Sequence, residues 1–351
     1  MAEPLVRLTD LKKSYGNFEA VKGIDLEIAA GEFIAIMGPS GCGKTTTLRM
    51  LAGLEAPSGG EIFIGGERMN DVPAHERDTP MVWQSLALFP FLSVRENVEF
   101  GLKMRGLPKR ERRERVAVWL ERLGLEGFEK RRVDALSGGQ RQRVALARSL
   151  VTEPKMLFLD EPLSALDAHL VIRMQGVLSK LQKDLGITFV YVTHSQSEAF
   201  AMADRVVIMG HGEIVQTGRP KDIFRAPRNR FVAEFVGRNN IFAGTVAGGV
   251  INVDGTQLPL PGAADGPAEI VVAADRMTVS LERPNTAALE AEFVSEEFVG
   301  TAIICYFEGP GGEELKAQVT ERELELLAPE PGKHFFLSWE PDAPHVMAVT
   351  S

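Results

Sequence analysis

Long apolar runs are missing from this 351-residue chain. No stretch reaches the roughly 18 uninterrupted apolar residues that cross a bilayer as a helix, so the chain is not expected to span a membrane by itself. The opening MAEPLVRLTDLKKSYG is charged throughout and lacks the apolar centre of a signal peptide, and the expectation is a chain that stays in the cytoplasm. Cysteine is scarce: only Cys42 and Cys305 occur, the first inside a glycine-rich stretch that a disulfide would distort, and a reducing compartment suits both. A basic excess is absent too. With 39 Lys plus Arg against 48 Asp plus Glu the net charge is −9, the wrong sign for a nucleic-acid footprint, and no nucleic-acid partner is expected. The one basic run, PKRERRER at 108–115, alternates with acids at helical spacing and reads as a solvated helix face. No repeat of fixed period is visible, and 44% apolar with 25% charged residues is ordinary globular composition.

The charge that is present is unevenly spread. From Arg238 onward 6 basic residues face 18 acidic ones, against 33 and 30 before it, and the composition shift predicts two domains, 1–237 and 238–351. In the first, strand-like segments VRLTDL, FEAVKGIDLEI and EFIAIM lead into a glycine loop and the helix TTLRMLAGL. Helical patterns occupy about 85–155 and predict an inserted helical lobe. Buried strands return at KMLFLD, ITFVYVT and RVVIMG with helices between them, the alternation of an α/β fold with a mainly parallel sheet. In the second, short strands such as IFAGTV, EIVVAAD, TAIICYFE and HFFLSWE are punctuated by Gly, Pro, Asn and Asp, which predicts a small all-β, barrel-like domain.

Two motifs carry the chemistry. GPSGCGKTT at 38–46 fits G-x-x-x-x-G-K-[ST] between a strand and a helix. Gly38, Gly41 and Gly43 allow the loop Gly38-Pro39-Ser40-Gly41-Cys42-Gly43 to turn its N–H groups toward phosphates, helped by the helix N-terminus. Lys44 supplies a cation for β- and γ-phosphates, and the Thr45 hydroxyl is a Mg²⁺ ligand. Thr46 adds a hydroxyl to the phosphate shell or serves the helix alone. Asp160 ends the apolar strand of MLFLDE, where it can hold Mg²⁺, and Glu161 points the other way, toward general-base work on water. The second motif is LSGGQ at 136–140, a serine with glycines at a helix start, suited to an anion.

With these motifs in this order, Val6 to about Gly237 resembles the nucleotide-binding subunit of an ABC transporter, a phosphate-loop cassette with a RecA-like sheet lobe and an inserted helical lobe. The resemblance implies that Tyr15 stacks on adenine and that Gln84 senses Mg²⁺ and the attacking water. It implies that Ser137, Gly138, Gly139 and Gln140 bind the γ-phosphate held by a second copy, that Asp167 lies in a loop crossing that dimer, and that His194 contacts the γ-phosphate. Taken singly, Tyr15 reads equally as a packed surface aromatic. After Gln84, Leu86, Leu88, Phe89, Phe91 and Leu92 form a loop too apolar for idle exposure, read as a groove for a short helix of a membrane subunit, with part of it ordinary core. Leu86 and Phe91 stand where tyrosine and histidine are frequent in the family, and Ser195 where aspartate is frequent; the last leaves the orientation of His194 in question.

One cassette with a C-terminal β domain is similar to the bacterial importer ATPases that carry the regulatory domain called TOBE, and within them most like the polyamine (spermidine and putrescine) importers, with sugar, iron(III) and sulfate importers close behind. The implied cofactors are ATP and Mg²⁺. The implied partners are a second copy, two integral membrane permease subunits and, indirectly, an extracytoplasmic solute-binding protein, at the cytoplasmic side of the cell membrane. A soluble phosphate-loop kinase is the other class of reading, and it leaves LSGGQ without a purpose.

Overall fold

The computed structural model describes residues 3–253, 255–284, 287–300 and 302–347, and the chain divides into two compact units, Met1–Pro220 and Lys221–Ser351. The first unit runs β1 (Val6–Tyr15), β2 (Phe18–Ile28), β3 (Phe33–Met37), α1 (Lys44–Leu51), β4 (Gly59–Ile64), β5 (Glu67–Arg68) and β6 (Met81–Val82). Helices α2 (Val94–Met104), α3 (Lys109–Arg122) and α4 (Gly138–Leu150) follow. The order then alternates through β7 (Met156–Asp160), α5 (Ala168–Leu185), β8 (Thr188–Val192), α6 (Gln196–Met202), β9 (Arg205–Gly210) and β10 (Glu213–Gly218).

Strands β3, β7 and β8 are buried at every position, the signature of a parallel sheet covered on both faces. They form the centre of a six-stranded sheet in the order β10-β9-β3-β8-β7-β6, parallel except for β10. β1 instead alternates, burying Val6, Leu8 and Leu11 between exposed residues, and pairs antiparallel with β2 and β4 in a separate four-stranded sheet. Among the early strands, therefore, only β3 joins the parallel sheet. The two-residue β6, too short to show a periodicity, pairs in register Val82↔Leu159 with β7 and so brings the chain just before Gln84 to the carboxyl end of the sheet.

The helical lobe is held by Val98 and Leu102 of α2, Trp119 and Leu120 of α3, and Val144 and Leu150 of α4, all within one buried cluster. Ser93 and Ser137 open α2 and α4 through capping boxes with Glu96 and Gln140. The basic run lies on α3, where Arg110–Glu114 and Arg115–Glu111 pair one turn apart. Arg77 donates to the Met50 and Leu51 carbonyls at the C-terminus of α1 at 2.8 and 2.9 Å, and to the Val72 carbonyl at 2.9 Å, supplying side-chain donors to the last carbonyls of the helix.

The second unit opens with α7 (from Pro220–Arg225) and α8 (Arg230–Val236), then β11 (Asn239–Ala247), β12 (Val250–Val253), β13 (Thr256–Pro259), β14 (Gly266–Ala273), β15 (Met277–Ser280), β16 (Leu289–Phe298), β17 (Ile303–Glu308), β18 (Glu314–Val319), α9 (Glu321–Leu327), β19 (His334–Trp339) and β20 (His345–Met347). Two five-stranded antiparallel sheets, β13-β12-β11-β14-β20 and β15-β19-β16-β17-β18, enclose a core of Ile270, Leu289, Phe307, Phe335 and Leu337. The seam falls at Pro220 and Lys221 rather than at 237 and 238, because α8 buries Ala233 with Val271 and Met347 of this β unit. The expected strand beginning TAIICYFE starts at Ile303; Thr301 lies outside the described residues. Among the described residues no helix is long and apolar enough to cross a membrane.

Candidate active site

Three carboxyl ends of the parallel sheet supply the site. β3 runs into the phosphate loop, β7 ends on Asp160, and β8 is followed at once by Thr193 and His194. The loop is shaped by exclusion. A Cβ on Gly38 would stand 2.2 Å from the Met209 carbonyl oxygen and 2.6 Å from Cys42 Sγ, and one on Gly43 would stand 2.6 Å from the Ala20 carbonyl oxygen. Both residues carry positive φ, 155° and 103°, so glycine is required twice over. Lys44, 7% exposed, donates to the Gly38 and Pro39 carbonyls at 2.8 and 2.9 Å, and its Nζ is 3.8 Å from Cys42 Sγ. Pro39, Ser40 and Gly41 form the exposed rim of the loop and Thr46 is half-buried behind it, while the buried Thr47 hydroxyl donates to the Gly43 carbonyl at 3.0 Å. Cys42 and Cys305 are both buried free thiols, and burial pushes the Cys305 thiol up to about 11.

Asp160 accepts a hydrogen bond from the Thr45 hydroxyl at 3.1 Å. Glu161 turns elsewhere: its Oε2 lies 3.2 Å from His194 Nδ1 and accepts from Gln84 Nε2 at 3.4 Å. Its backbone is left-handed, with φ 44°, an unfavourable state for a non-glycine residue, and it is pinned there because its N–H donates to Val192 and its carbonyl accepts from the Ser164 hydroxyl, both at 2.9 Å. The structure thus gathers Lys44, Thr45 and Asp160 on one side and Gln84, Glu161 and His194 on the other. At the position after His194, Ser195 caps α6, accepting from the Glu198 N–H at 3.4 Å, and Glu198 accepts from the buried Tyr191 and Thr193 hydroxyls at 2.5 and 2.9 Å, while His194 itself meets Glu161. S-x-x-E at 195–198 was the available signal.

The remaining residues stay apart. Ser137 and Gln140 bond each other at the start of α4, beside Gly138 and the buried Gly139. Asp167 caps α5 by accepting from the Leu170 N–H at 2.9 Å. Tyr15, 46% exposed, has the Lys13 ammonium 4.9 Å from its ring centroid. The apolar loop after Gln84 divides: Leu86 and Leu88 pack on the helical-lobe core, Phe91 is 85% exposed, and Phe89, its ring 4.6 Å from that of Phe100, lines a cleft of about 650 Å³ with Trp83, Met81 and Met104.

Burial pushes the Asp160 carboxyl above the usual aspartate range, against the hydrogen bond from Thr45 and the pull of Arg49. A carboxyl raised on folding stabilises the fold in acid, and that contribution is lost as pH climbs from about 4 through its raised value. Asp160→Asn, which keeps the shape without the charge, is expected to raise the nucleotide-free unfolding midpoint at pH 7 by about 2–4 °C, with the gain shrinking toward pH 4. Scanning fluorimetry across pH measures this, and a lowered midpoint at pH 7 contradicts it.

The glycine cradle, the buried ammonium and a hydroxyl–carboxylate pair fit a nucleoside triphosphate with a divalent cation. The ABC transporter family model matches residues 21–164 and the TOBE domain model residues 270–347. The chain is 43% identical over 360 residues to the spermidine/putrescine import ATP-binding protein PotA of Rubrobacter xylanophilus, covering 98% of this chain and 93% of the relative. It is 50% identical over 256 residues to the Fe(3+) ions import ATP-binding protein FbpC of Escherichia coli K12, covering 73% of this chain and 74% of the relative. A solved dimeric ATP-binding cassette in a post-hydrolysis state, bound to ADP and Pi, aligns at 34% identity and a TM-score of 0.56, over 61% of this chain and 98% of that one. Sequence, fold and site converge on one conclusion: the chain belongs to the ABC transporter family, among the import ATP-binding proteins, and is an ATPase with a C-terminal TOBE domain.

Proposed function

We propose that two copies of the chain close head to tail around two ATP molecules, each nucleotide held between residues 38–46 of one copy and 136–140 of the other. The observation that carries this reading is the division of the site. Lys44, Thr45, Asp160 and Glu161 gather at one end of the sheet, while the hydrogen bonds of Ser137 and Gln140 are spent on each other at the start of α4, leaving the first N–H groups of that helix to meet an anion from outside. Tyr15 offers its ring to adenine, and Asp167 borders the interface. Thr45 and Asp160, with Gln84 reaching from the Glu161 side, would hold Mg²⁺, which would supply positive charge toward the phosphates and offset the cost of the buried Asp160 carboxylate. Glu161 takes the proton of the attacking water and His194 steadies the γ-phosphate side. In each copy the cleft beside Phe89 and Phe100 seats a short helix from one of two permease subunits, which puts the chain on the cytoplasmic face of the membrane. An extracytoplasmic binding protein then feeds the solute.

We take the solute to be a polyamine; relatives named for iron(III) import keep that cation as the second reading. The test is ATPase activity in proteoliposomes containing the chain and its permease subunits, with the cognate binding protein added. Several-fold stimulation by spermidine or putrescine is expected. Stimulation by iron(III) alone would replace the polyamine, and a rate indifferent to permease would remove the importer role.

A further inference from the structure

Arg148 lies in the last turn of α4 and spends its guanidinium on neutral partners. Nη1 donates to the Ala87 carbonyl at 2.6 Å and Nη2 to the Leu86 carbonyl at 2.8 Å, and the group stands 5.5 Å from the centroid of the Phe89 ring. Leu86 and Ala87 both have left-handed backbones, with φ 62° and 44°, a conformation that side chains resist. Two consecutive residues of this kind persist only where something over-determines them. They follow Gln84 closely in the chain, and Gln84 is the residue whose amide meets Glu161. The far end of the same helix is tied as well: Arg143 donates to the Gly139 carbonyl at 3.3 Å and to the Leu123 and Gly124 carbonyls at 3.0 and 3.2 Å. α4 therefore runs from the LSGGQ glycines to the segment that carries Gln84, fastened at both ends by guanidinium–carbonyl bonds.

We infer that Arg148 is a positioning residue for hydrolysis: by holding the Leu86 and Ala87 carbonyls it keeps the segment after Gln84 in its left-handed form and so sets where the Gln84 amide meets Glu161. The partners of Arg148 are two carbonyls and the Phe89 ring, and its effect passes through Gln84. The inference rests on the reading of Gln84 and Glu161 as the groups that face the attacking water. It adds to that reading a residue that no motif singles out and that ties the signature helix to the catalytic loop.

Steady-state ATPase of the full chain tests it. Arg148→Met is expected to lower kcat about 10-fold or more while KM for ATP stays within about 2-fold, because the phosphate loop is untouched. Arg148→Lys, which can reach one carbonyl, recovers part of the loss. In a double-mutant cycle, Gln84→Ala with Arg148→Met is no slower than Gln84→Ala alone. Adding Ala87→Gly to Arg148→Met, where glycine accepts the positive φ freely, restores kcat at least about 3-fold. Should Arg148→Met not fold, Arg148→Lys with and without Ala87→Gly carries the same comparison. A kcat unchanged in Arg148→Met, a KM that rises with it, additive losses in the cycle, or no rescue by glycine each overturns the assignment. Retained hydrolysis in Glu161→Gln is a different failure, because it removes the site reading and the inference with it.

Discussion

Glu161→Gln hydrolyses ATP at least about 100-fold more slowly than the native chain, binds it as well, and accumulates as an ATP-loaded dimer. The glutamine is nearly isosteric, so the contacts around position 161 survive in shape, but an amide cannot accept the proton of water, and losing a positioned general base costs about 10²–10⁴ in rate. The carboxylate is singled out by its neighbours: His194 Nδ1 and Gln84 Nε2 both address Oε2, at 3.2 and 3.4 Å, which leaves Oε1 for water. With hydrolysis blocked, the shared nucleotides keep linking both halves, and dimer formation follows ligand binding by mass action. Phosphate release and light scattering at saturating ATP report the two effects. A variant that stays monomeric there contradicts the shared site, and one within 10-fold of native turnover contradicts the base.

Lys44→Ala acts one step earlier. Its ammonium is buried against the Gly38 and Pro39 carbonyls, so the charge is already inside the loop when the phosphates arrive. Charged hydrogen bonds of this kind are worth about 1.5–3 kcal/mol each, which sets the expected loss of ATP affinity at about 10- to 150-fold. The truncation also removes the lysine's bonds to both carbonyls, leaving Pro39 only the Cys42 N–H at 3.3 Å, and loosens the loop. Calorimetric titration measures the loss; affinity within 3-fold of native would mean that the loop amides do the binding alone.

Both predictions concern residues legible in the sequence, because a phosphate loop and a strand ending in Asp-Glu are local patterns whose spacing is set by backbone geometry. The all-β character of the second unit was legible for the same reason, through turns and alternation. What escaped was non-local. β6 has two residues and exists only through its pairing with β7. β1 and β2 resemble any half-buried strands, and nothing along the chain tells which sheet will take them. α8 fell on the cassette side because the shift in charge comes after it, at Arg238, whereas Ala233 is buried with β14 and β20. α9 was missed although Thr320 and Glu323 spell a capping box, because no residue of the helix is fully buried and the apolar pattern there is weak. Arg148 was invisible because its partners are carbonyls, which every residue has.

That last property has a wider consequence. Arg77, Arg143 and Arg148 all deliver their positive charge to main-chain oxygens, and burial lowers the pKa of each while leaving it far above neutrality. A carbonyl oxygen does not titrate in the range where a carboxylate does, and a desolvated contact is little screened by salt. In the second unit the corresponding fastening is ionic: Arg225 forks onto both oxygens of Asp275 at 2.8 and 2.6 Å. Acid dissolves that kind of clamp and leaves the other intact. The segments flanking the signature helix and the end of α1 are thus held by fastenings indifferent to pH and salt, whereas ion pairs such as Arg205–Glu32 in the first unit and Arg225–Asp275 in the second carry the sensitivity.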